Sequence, residues 1–235
     1  MLFPFLGYSQ SKSQTTKSEL APMVIELFTS EGCSSCPPAD DLVAKIQREY
    51  QNKPIYILSY HVDYWDRLGW KDSFSNAAYS KRQYKYASWL KNSSVYTPQI
   101  VVNGSTQFVG SDAQKFSTEL RKKSQLDENG IKLVVRKPNG AILKVDFTST
   151  SVSQNNSLNF ALVENSATID VQRGENSNRT LHHVAIVRDL KTIDATDHGS
   201  IYFNLPKDLS NNYHLVAFLQ NTKTGKIISA TSASD

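Results

Sequence analysis

The sequence has few cysteines, little excess positive charge and no long apolar run. Its 235 residues include two cysteines and carry a formal net charge of +4. No segment approaches the roughly 18 apolar residues that a transmembrane helix needs, so we expect no integral membrane span. No dense stripe of lysine and arginine is present, and this argues against a nucleic acid as the partner.

Two motifs that accompany common enzyme chemistries are also missing. The chain has no Gly-x-Ser-x-Gly elbow that would present a serine nucleophile, and no glycine-rich loop that would hold phosphate groups. Adjacent Ser34 and Ser35 have no His–Asp partner in their sequence context. We therefore expect neither a serine hydrolase nor a phosphate-binding loop, and we predict no bound cofactor.

The first 19 residues differ in texture from the rest of the chain. A short apolar run, Met1 to Gly7, is followed by small and polar residues, as at the end of a secretory signal peptide. We expect residues 1–19 to be a signal-peptide remnant, with a disordered tail as the alternative. Export to the periplasm or medium would place both cysteines in an oxidising compartment, where a disulfide persists.

Both cysteines, Cys33 and Cys36, lie within the segment ELFTSEGCSSCPPAD. The apolar run from Met23 to Thr29 predicts a buried strand before them, and apolar residues recur at helical spacing after them. At the start of a helix, backbone N–H groups and the helix dipole stabilise a thiolate. A disulfide that closes so small a loop constrains little of the unfolded chain, so the spacing favours a redox pair over a structural staple.

The patterns after the cysteines divide the chain into two parts. Strand and helix signals up to residue 128 follow the order β-α-β-α-β-β-α, with an Asn-Gly hairpin signal between the last two strands. From residue 129 onward, seven short β-patterned runs alternate with turn signals. We predict an α/β domain over 20–128 and an all-β, sandwich-like domain over 129–235.

The element order around the cysteines resembles the thioredoxin fold. A strand, a C-x-x-C at a helix start, a second strand, and Thr97-Pro98 before a hairpin and a final helix carry this resemblance. It implies that Pro98 is a cis-proline packed against the disulfide, and that a buried acid, for which Glu26 is a candidate, relays protons to the second cysteine. The Ser-Ser dipeptide inside the motif departs from the familiar members, so no redox potential carries over.

Four longer segments resemble a family of exported bacterial proteins of unknown function, which pair a thioredoxin-like domain with a β-domain. They are ELFTSEGCSSCPPAD, HVDYWDRLGWKDSFS, YTPQIVVNG and RGENSNRTLHHVAIVR. The resemblance covers nearly the whole chain after residue 19. It implies this architecture and an oxidoreductase-like site, and it implies no substrate.

The segment HVDYWD follows the second predicted strand at its carboxyl end, where sites form in α/β sheets. His61 could take a proton from a thiol or, as a cation, lower the pKa of that thiol. With Asp63 and Trp65 it would shape a cleft beside Cys33. The alternative is a loop packed by its aromatic residues, in which His61 is only hydrogen-bonded.

In the predicted β-domain, the segment RGENSNRTLHHVAIVR combines an irregular loop with Arg179 and His182. It could fold over the first domain and form one wall of the cysteine cleft. The alternative is a structural turn in which an arginine pairs with Glu175. Adjacent His182 and His183 would face opposite sides of a strand.

These patterns favour an exported thiol–disulfide oxidoreductase that acts on protein thiols or disulfides, or on a redox partner protein. Cys33 would attack, Cys36 would resolve the mixed disulfide, and Thr97-Pro98 would present backbone to an extended substrate. Two alternatives stay open. One is a non-catalytic envelope-binding protein with an inert disulfide, and the other is a copper or zinc protein in which a histidine completes a set with the cysteines.

Overall fold

The computed structural model describes residues 22–122, 125–127, 129–137 and 140–234. The expected signal-peptide remnant at 1–19 lies outside them. The described elements are β1 (Met23–Thr29), α1 (Pro37–Glu49), β2 (Ile55–His61), α2 (Ala77–Trp89), β3 (Gln99–Val102), β4 (Thr106–Val109), α3 (Ala113–Leu120), β5 (Ile131–Arg136), β6 (Ile142–Ser149), β7 (Asn156–Val171), β8 (Arg179–Asp194), β9 (His198–Asn204), β10 (Tyr213–Asn221) and β11 (Ile227–Ala233). A 3-10 helix covers Asp63–Leu68. No helix in the described ranges is long and apolar enough to cross a bilayer.

The first half has the predicted order of strands and helices, and the mixed α/β class is confirmed. Strand β1 pairs in parallel with β2 and antiparallel with β3, which pairs antiparallel with β4. Asn103 and Gly104 between β3 and β4 both have left-handed φ values, 50° and 63°, as an Asn-Gly hairpin turn requires. The carboxylate of Asp112 accepts the N–H of Lys115 at 2.8 Å and caps α3.

One sheet runs through both halves of the chain, in the order β11-β10-β7-β8-β2-β1-β3-β4. The two halves meet where β2 and β8 run in parallel, at the pair Ser59–Ile186. The hydroxyl of Ser59 also donates to the carbonyl oxygen of Val184 at 2.7 Å. The sheet is therefore continuous across the boundary at residues 128 and 129 between the two predicted domains.

A second sheet, in the order β5-β6-β9, covers one face of the large sheet. Alternate residues of β7 and β10 enter two different cores because successive side chains of a strand point to opposite faces. Leu158, Phe160 and Leu162 pack with the small sheet, whereas Ala161 and Val163 pack with the core of the first half. Both faces of β7 are covered there, which explains its nearly unbroken apolar sequence.

A buried ion pair ties the first half to β10. Glu26 in β1 accepts a hydrogen bond from Nε of Arg82 at 2.6 Å and another from the hydroxyl of Tyr86. Arg82 also donates to the side-chain oxygen of Gln220 at 3.1 Å. A buried charge needs such compensation to be tolerated. Glu26, the candidate proton relay, is thus engaged with Arg82.

Candidate functional site

Cys33 and Cys36 form a disulfide with their Cα atoms 5.4 Å apart. Cys36 is the N-cap of α1 and Pro37 its first residue, a position where the missing N–H of proline costs no helical hydrogen bond. Both cysteines have 0% exposure, while Ser34 and Ser35 between them are exposed. The pair therefore occupies the predicted helix start, with its sulfur atoms covered.

The turn between β7 and β8, residues 172–178, called here the hairpin tip, is hydrogen-bonded to the cysteine loop. Asn176 in this tip is fully buried, and its side-chain N–H₂ donates to the carbonyl oxygens of Glu31 and Cys33, each at 2.9 Å. Arg179 donates to the side-chain oxygen of Asn176 at 3.0 Å and so orients the amide. The segment that carries Arg179 thus packs on the cysteine loop.

Two further contacts attach the hairpin tip to the first half. The carboxylate of Glu175 accepts the Ser34 hydroxyl at 2.6 Å and the Ser34 N–H at 3.2 Å, and these hydrogen bonds lower the pKa of Glu175. Gly174, with φ of 79°, packs against Trp70 so closely that an added Cβ would lie 3.1 Å from the tryptophan Cβ. Glu175 pairs with Ser34, whereas the structural-turn alternative would pair it with an arginine.

Thr97 and Pro98 border the same region. The peptide bond between them is cis, and Pro98 is buried. Trp65 donates from its indole N–H to the Thr97 hydroxyl at 2.8 Å. The Ser35 hydroxyl lies 3.4 Å from both the Thr97 carbonyl oxygen and the Cys33 sulfur. The exposed serine thus connects the disulfide to the segment predicted to meet a substrate.

His61 is fully buried, so it does not line an open cleft. Its Nδ1 lies 2.8 Å from Oδ2 of Asp72. Burial opposes the charged imidazole, but the Asp72 carboxylate outweighs it, with help from Asp40 and Glu31, and the pKa of His61 is raised. Burial alone would raise the pKa of Asp72, because it opposes the charged carboxylate. His61 and the backbone N–H groups of Glu31 and Phe74 outweigh burial and lower this pKa to about 2.

Glu31 is the second buried carboxylate of this cluster. It accepts hydrogen bonds from the indole N–H of Trp70 at 2.6 Å and from the hydroxyl of Ser73 at 2.7 Å. Burial, together with the nearby negative charge of Asp72, raises the pKa of Glu31. This carboxylate holds the loop after the 3-10 helix against the residues that precede Cys33.

Glu31, His61 and Asp72 each offer one potential metal-ligand atom, and these atoms lie within 4.8 Å of one another. The oxygens of both carboxylates already accept hydrogen bonds from N–H or O–H groups. Donors surround the carboxylates, as expected of a hydrogen-bonded cluster. Over the described residues, no such group of three contains Cys33 or Cys36, so the copper or zinc alternative has no preformed ligand set there.

His182 and His183 lie on opposite faces of β8, as expected for neighbours in a strand. His182 is exposed, with Nδ1 3.0 Å from the hydroxyl of Thr168. His183 is buried, with its ring centroid 4.7 Å from that of His61 and Nδ1 3.4 Å from the carboxylate of Asp40. His183, and not the exposed His182, therefore belongs to the cluster.

Alternation along β8 does not distinguish the two histidines, because apolar residues lie on both faces: Leu181, Ala185 and Val187 on the side of His183, and Val184 and Ile186 on the side of His182. Asp40 has a position that the sequence indicates, because a residue four places after Cys36 lies one helical turn from it. In the structure, Asp40 donates its N–H to the Cys36 carbonyl at 3.2 Å. Its carboxylate also accepts the Thr29 hydroxyl at 3.1 Å.

Asp63 has a structural partner in α2. Its backbone N–H donates to the Ser80 hydroxyl at 3.1 Å, and that hydroxyl donates back to the Asp63 carboxylate. The pair attaches the 3-10 helix to α2. Among the predicted cleft residues, the structure thus brings Trp65, Thr97 and Arg179 around the disulfide loop, while Asp63 and His182 point to other partners.

Residues 24–220 match the model of a family described as a protein of unknown function, DUF1223. The chain belongs to this family. The match spans both halves, from β1 to β10, and it agrees with the family resemblance of the four long segments. No curated protein matches the chain.

Among solved structures, the chain is similar to protein AGR_C_4864 from Agrobacterium tumefaciens, a structural-genomics target. The two are 28% identical with a TM-score of 0.66, over 92% of this chain and 95% of the other. A domain of the outer membrane lipoprotein Omp28 from Porphyromonas gingivalis is 12% identical, with a TM-score of 0.28 over 48% of this chain and 93% of its own. The second likeness is too weak to support an argument.

Proposed function

We propose that this DUF1223 protein is an exported thiol–disulfide oxidoreductase with Cys33–Cys36 as its reactive pair. The observation that carries the proposal is the disulfide between the only two cysteines, at the junction of β1 and α1. A C-x-x-C next to a β-α-β unit is typical of thioredoxin-like redox sites. The strand order β2-β1-β3-β4 supports a thioredoxin-like half. The β5-β6-β9 sheet, packed on β7 and β10, supports a sandwich-like second half.

The chemistry is reversible exchange with a substrate dithiol. A substrate thiolate attacks the Cys33 sulfur, the Cys33–Cys36 bond breaks, and Cys36 leaves as a thiolate that takes up a proton. The second substrate thiolate then attacks the substrate sulfur of the mixed disulfide and releases Cys33. Two electrons pass from the substrate, which gains a disulfide, to the protein pair, which becomes two thiols. The reverse sequence reduces a substrate disulfide.

Access to the disulfide is the main requirement of this mechanism. Both sulfur atoms are covered, and the hairpin tip is attached through Asn176 and Glu175. Exchange with a protein substrate therefore needs displacement of the tip, which would leave the exposed Ser34-Ser35 loop and the Thr97 carbonyl as a docking edge. Export accords with this chemistry because a disulfide persists in an oxidising compartment.

The same coverage favours a second function, a non-catalytic binding protein whose disulfide is inert. Buried cysteines in a hydrogen-bonded environment are generally unreactive. The β-domain would then provide the working surface. The two functions differ in the reduction potential of the pair and in the access of a reagent to its thiols.

The deciding experiment equilibrates the full chain in glutathione buffers and counts free thiols by alkylation and mass. A potential between roughly −120 and −270 mV, with alkylation of the folded reduced protein, supports the oxidoreductase. A potential below about −300 mV, or thiols that resist alkylation until the protein unfolds, overturns it in favour of the inert disulfide. Cys36→Ser is the matched control, since it leaves Cys33 as a single thiol whose alkylation reports access alone.

A further inference from the structure

A second concave site lies far from the disulfide, at the other end of the junction between the two halves. It is a cavity of about 460 Å³, within the size range of small-molecule sites. The end of α1 and the start of β2 form one wall, and β7, β8 and β10 form the other. The site belongs neither to the disulfide nor to the buried His–Asp cluster.

The sheet itself opens at this place. The parallel pair Ser59–Ile186 joins β2 to β8, and the cavity lies where β2 begins, before that pair. On the other wall, β7 and β8 pair Glu164 with Ile186 and Ser166 with Val184. Ala185, between these pairs, has a left-handed φ of 52°. Such a backbone is costly for a residue with a Cβ, and this kind of strain clusters at ligand sites.

An amide–imidazole chain covers the wall opposite α1. Asn165 donates its backbone N–H to the carbonyl oxygen of Asn212 at 2.9 Å and its side-chain N–H₂ to the Asn212 amide oxygen. The remaining Asn165 oxygen faces Nδ1 of His214. Because that oxygen only accepts, Nδ1 carries the hydrogen and Nε2 keeps a lone pair. Burial lowers the pKa of His214 to about 4, so the ring is neutral at pH 7 and offers an acceptor for a hydroxyl group.

The opposite wall provides positive charge. Arg48 at the end of α1 and Lys53 in the turn before β2 both line the cavity. Within the described ranges, no carboxylate lines the cavity and none forms an ion pair with either cation. Unpaired arginine and lysine beside neutral hydrogen-bonding groups match an anionic ligand.

We propose that this cavity, called here the junction site, binds a small hydroxylated organic anion, with a sugar phosphate or a hydroxycarboxylate as the two sources of that chemistry. Arg48 and Lys53 bind the anionic group. Nε2 of His214 and the carboxamides of Asn165 and Asn212 bind the hydroxyl groups. The site makes the protein a binder of small molecules independently of the redox state of its cysteines.

The test follows the NMR signals of the His214 ring and the Asn165 side-chain amide during titration with glucose 6-phosphate, gluconate or glucose. We expect saturable shifts with a Kd of about 1 mM or tighter for at least one anion. Glucose 6-phosphate and gluconate distinguish the two sources by their relative Kd. Glucose lacks the anionic group, and Arg48→Gln lacks the guanidinium that would bind it. Each change removes at least one charged hydrogen bond, so each should weaken binding about tenfold or more.

Lys45→Gln is the matched control, because Lys45 lies on the same helix but pairs with Glu49 outside the cavity. It should leave the Kd unchanged. Absence of saturable shifts with both anions overturns the proposal, as does a Kd that Arg48→Gln and Lys45→Gln change equally. A Cys33→Ser/Cys36→Ser protein should bind as tightly as the native chain, so failure at the junction site is distinct from failure of the redox proposal.

Discussion

At the scale of single residues, two buried carboxylate–histidine pairs lie next to the loop that carries the cysteines. Asp72 bonds to His61 at 2.8 Å, and Asp40 lies 3.4 Å from His183. Buried polar groups cost stability unless they are paired. The first pair connects the end of β2 with the loop after the 3-10 helix, and the second connects α1 with β8. The pKa values of His61 and Asp72 are both shifted, so the titration of this pair should be visible in the stability of the whole chain.

The pH dependence of unfolding tests the His61–Asp72 pair. The folded pKa of Asp72, about 2, lies below its ordinary value of 3.8, so its contribution is present above pH 3.8 and is lost as the pH falls towards 2. The raised pKa of His61 acts in the other direction, with a contribution present below pH 6.5 and lost as the pH rises through the folded pKa. Between pH 4 and 2, we expect the native chain to lose about 2 kcal/mol more than Asp72→Asn.

Urea unfolding at fixed pH measures this difference. Asp41→Asn, at an exposed position of α1, is the matched control and should keep the acid slope of the native chain. If Asp72→Asn keeps that slope too, the ion pair does not contribute as the geometry indicates.

At the scale of elements, the length of the β7–β8 hairpin decides what packs against the cysteine loop. Each strand has 16 residues, longer than the runs SLNFALVE and LHHVAIVRDL suggest. The added end of β7 alternates the apolar Ala167, Ile169 and Val171 with exposed polar residues, a strand pattern that continues beyond the continuous apolar run. Only this length brings residues 172–178 to the start of α1. The sequence around Asn176 suggested an irregular loop over the first half, and the hydrogen bonds to Glu31 and Cys33 confirm that placement.

Removing the amide that holds the tip should uncover the disulfide. Asn176→Ala loses two hydrogen bonds to backbone oxygens, each contributing on the order of 1 kcal/mol, so we expect reduction by a small phosphine to become about tenfold faster. Stopped-flow thiol detection provides the rate. Thr180→Ala is the control, because its hydroxyl bonds at 2.6 Å to Asp170 within the hairpin. Equal rates for both variants would show that the tip does not limit access.

At the scale of the whole molecule, a contact between two turns helps to hold the halves together. The turn at Gly104, in the first half, packs on the turn at Gly225, in the second, and the N–H of Ile227 donates to the Asn103 carbonyl at 3.0 Å. A Cβ at Gly104 would lie 1.9 Å from the Gly225 carbonyl oxygen. No side chain fits there without separation of the turns.

Gly104→Ala should therefore cost about 3 kcal/mol or more of the free energy of unfolding, since backbone strain and a backbone clash act together. Gly140→Ala is the matched control. Gly140 has a similar φ of 73° with nothing within 4 Å of an added Cβ, so its cost is the conformational term alone, about 1 kcal/mol. Chemical denaturation of both variants measures the difference, and equal costs would mean that the turns need not touch for stability.

Patterns within a few neighbouring residues were enough to predict much of this protein. They placed Cys33 and Cys36 at a helix start and the Asn-Gly pair, Asn103-Gly104, in a hairpin turn, because both depend on local backbone geometry. The seven β-patterned runs are all strands in the structure, because their patterns also depend only on neighbouring residues. The inward position of His183, and not His182, could not be predicted in this way, because the pattern of one strand does not show which of its two faces is inward.

The sequence by itself therefore determined the order of strands and helices and the position of the cysteine pair. The tertiary structure alone decided that one sheet crosses both halves, that Asn176 bonds to the cysteine loop, and that a cavity opens beside Ala185. These features depend on contacts between residues far apart in the chain. The neighbours of each partner carry no record of such a contact, since burial and pairing arise only when the complete set of strands packs together.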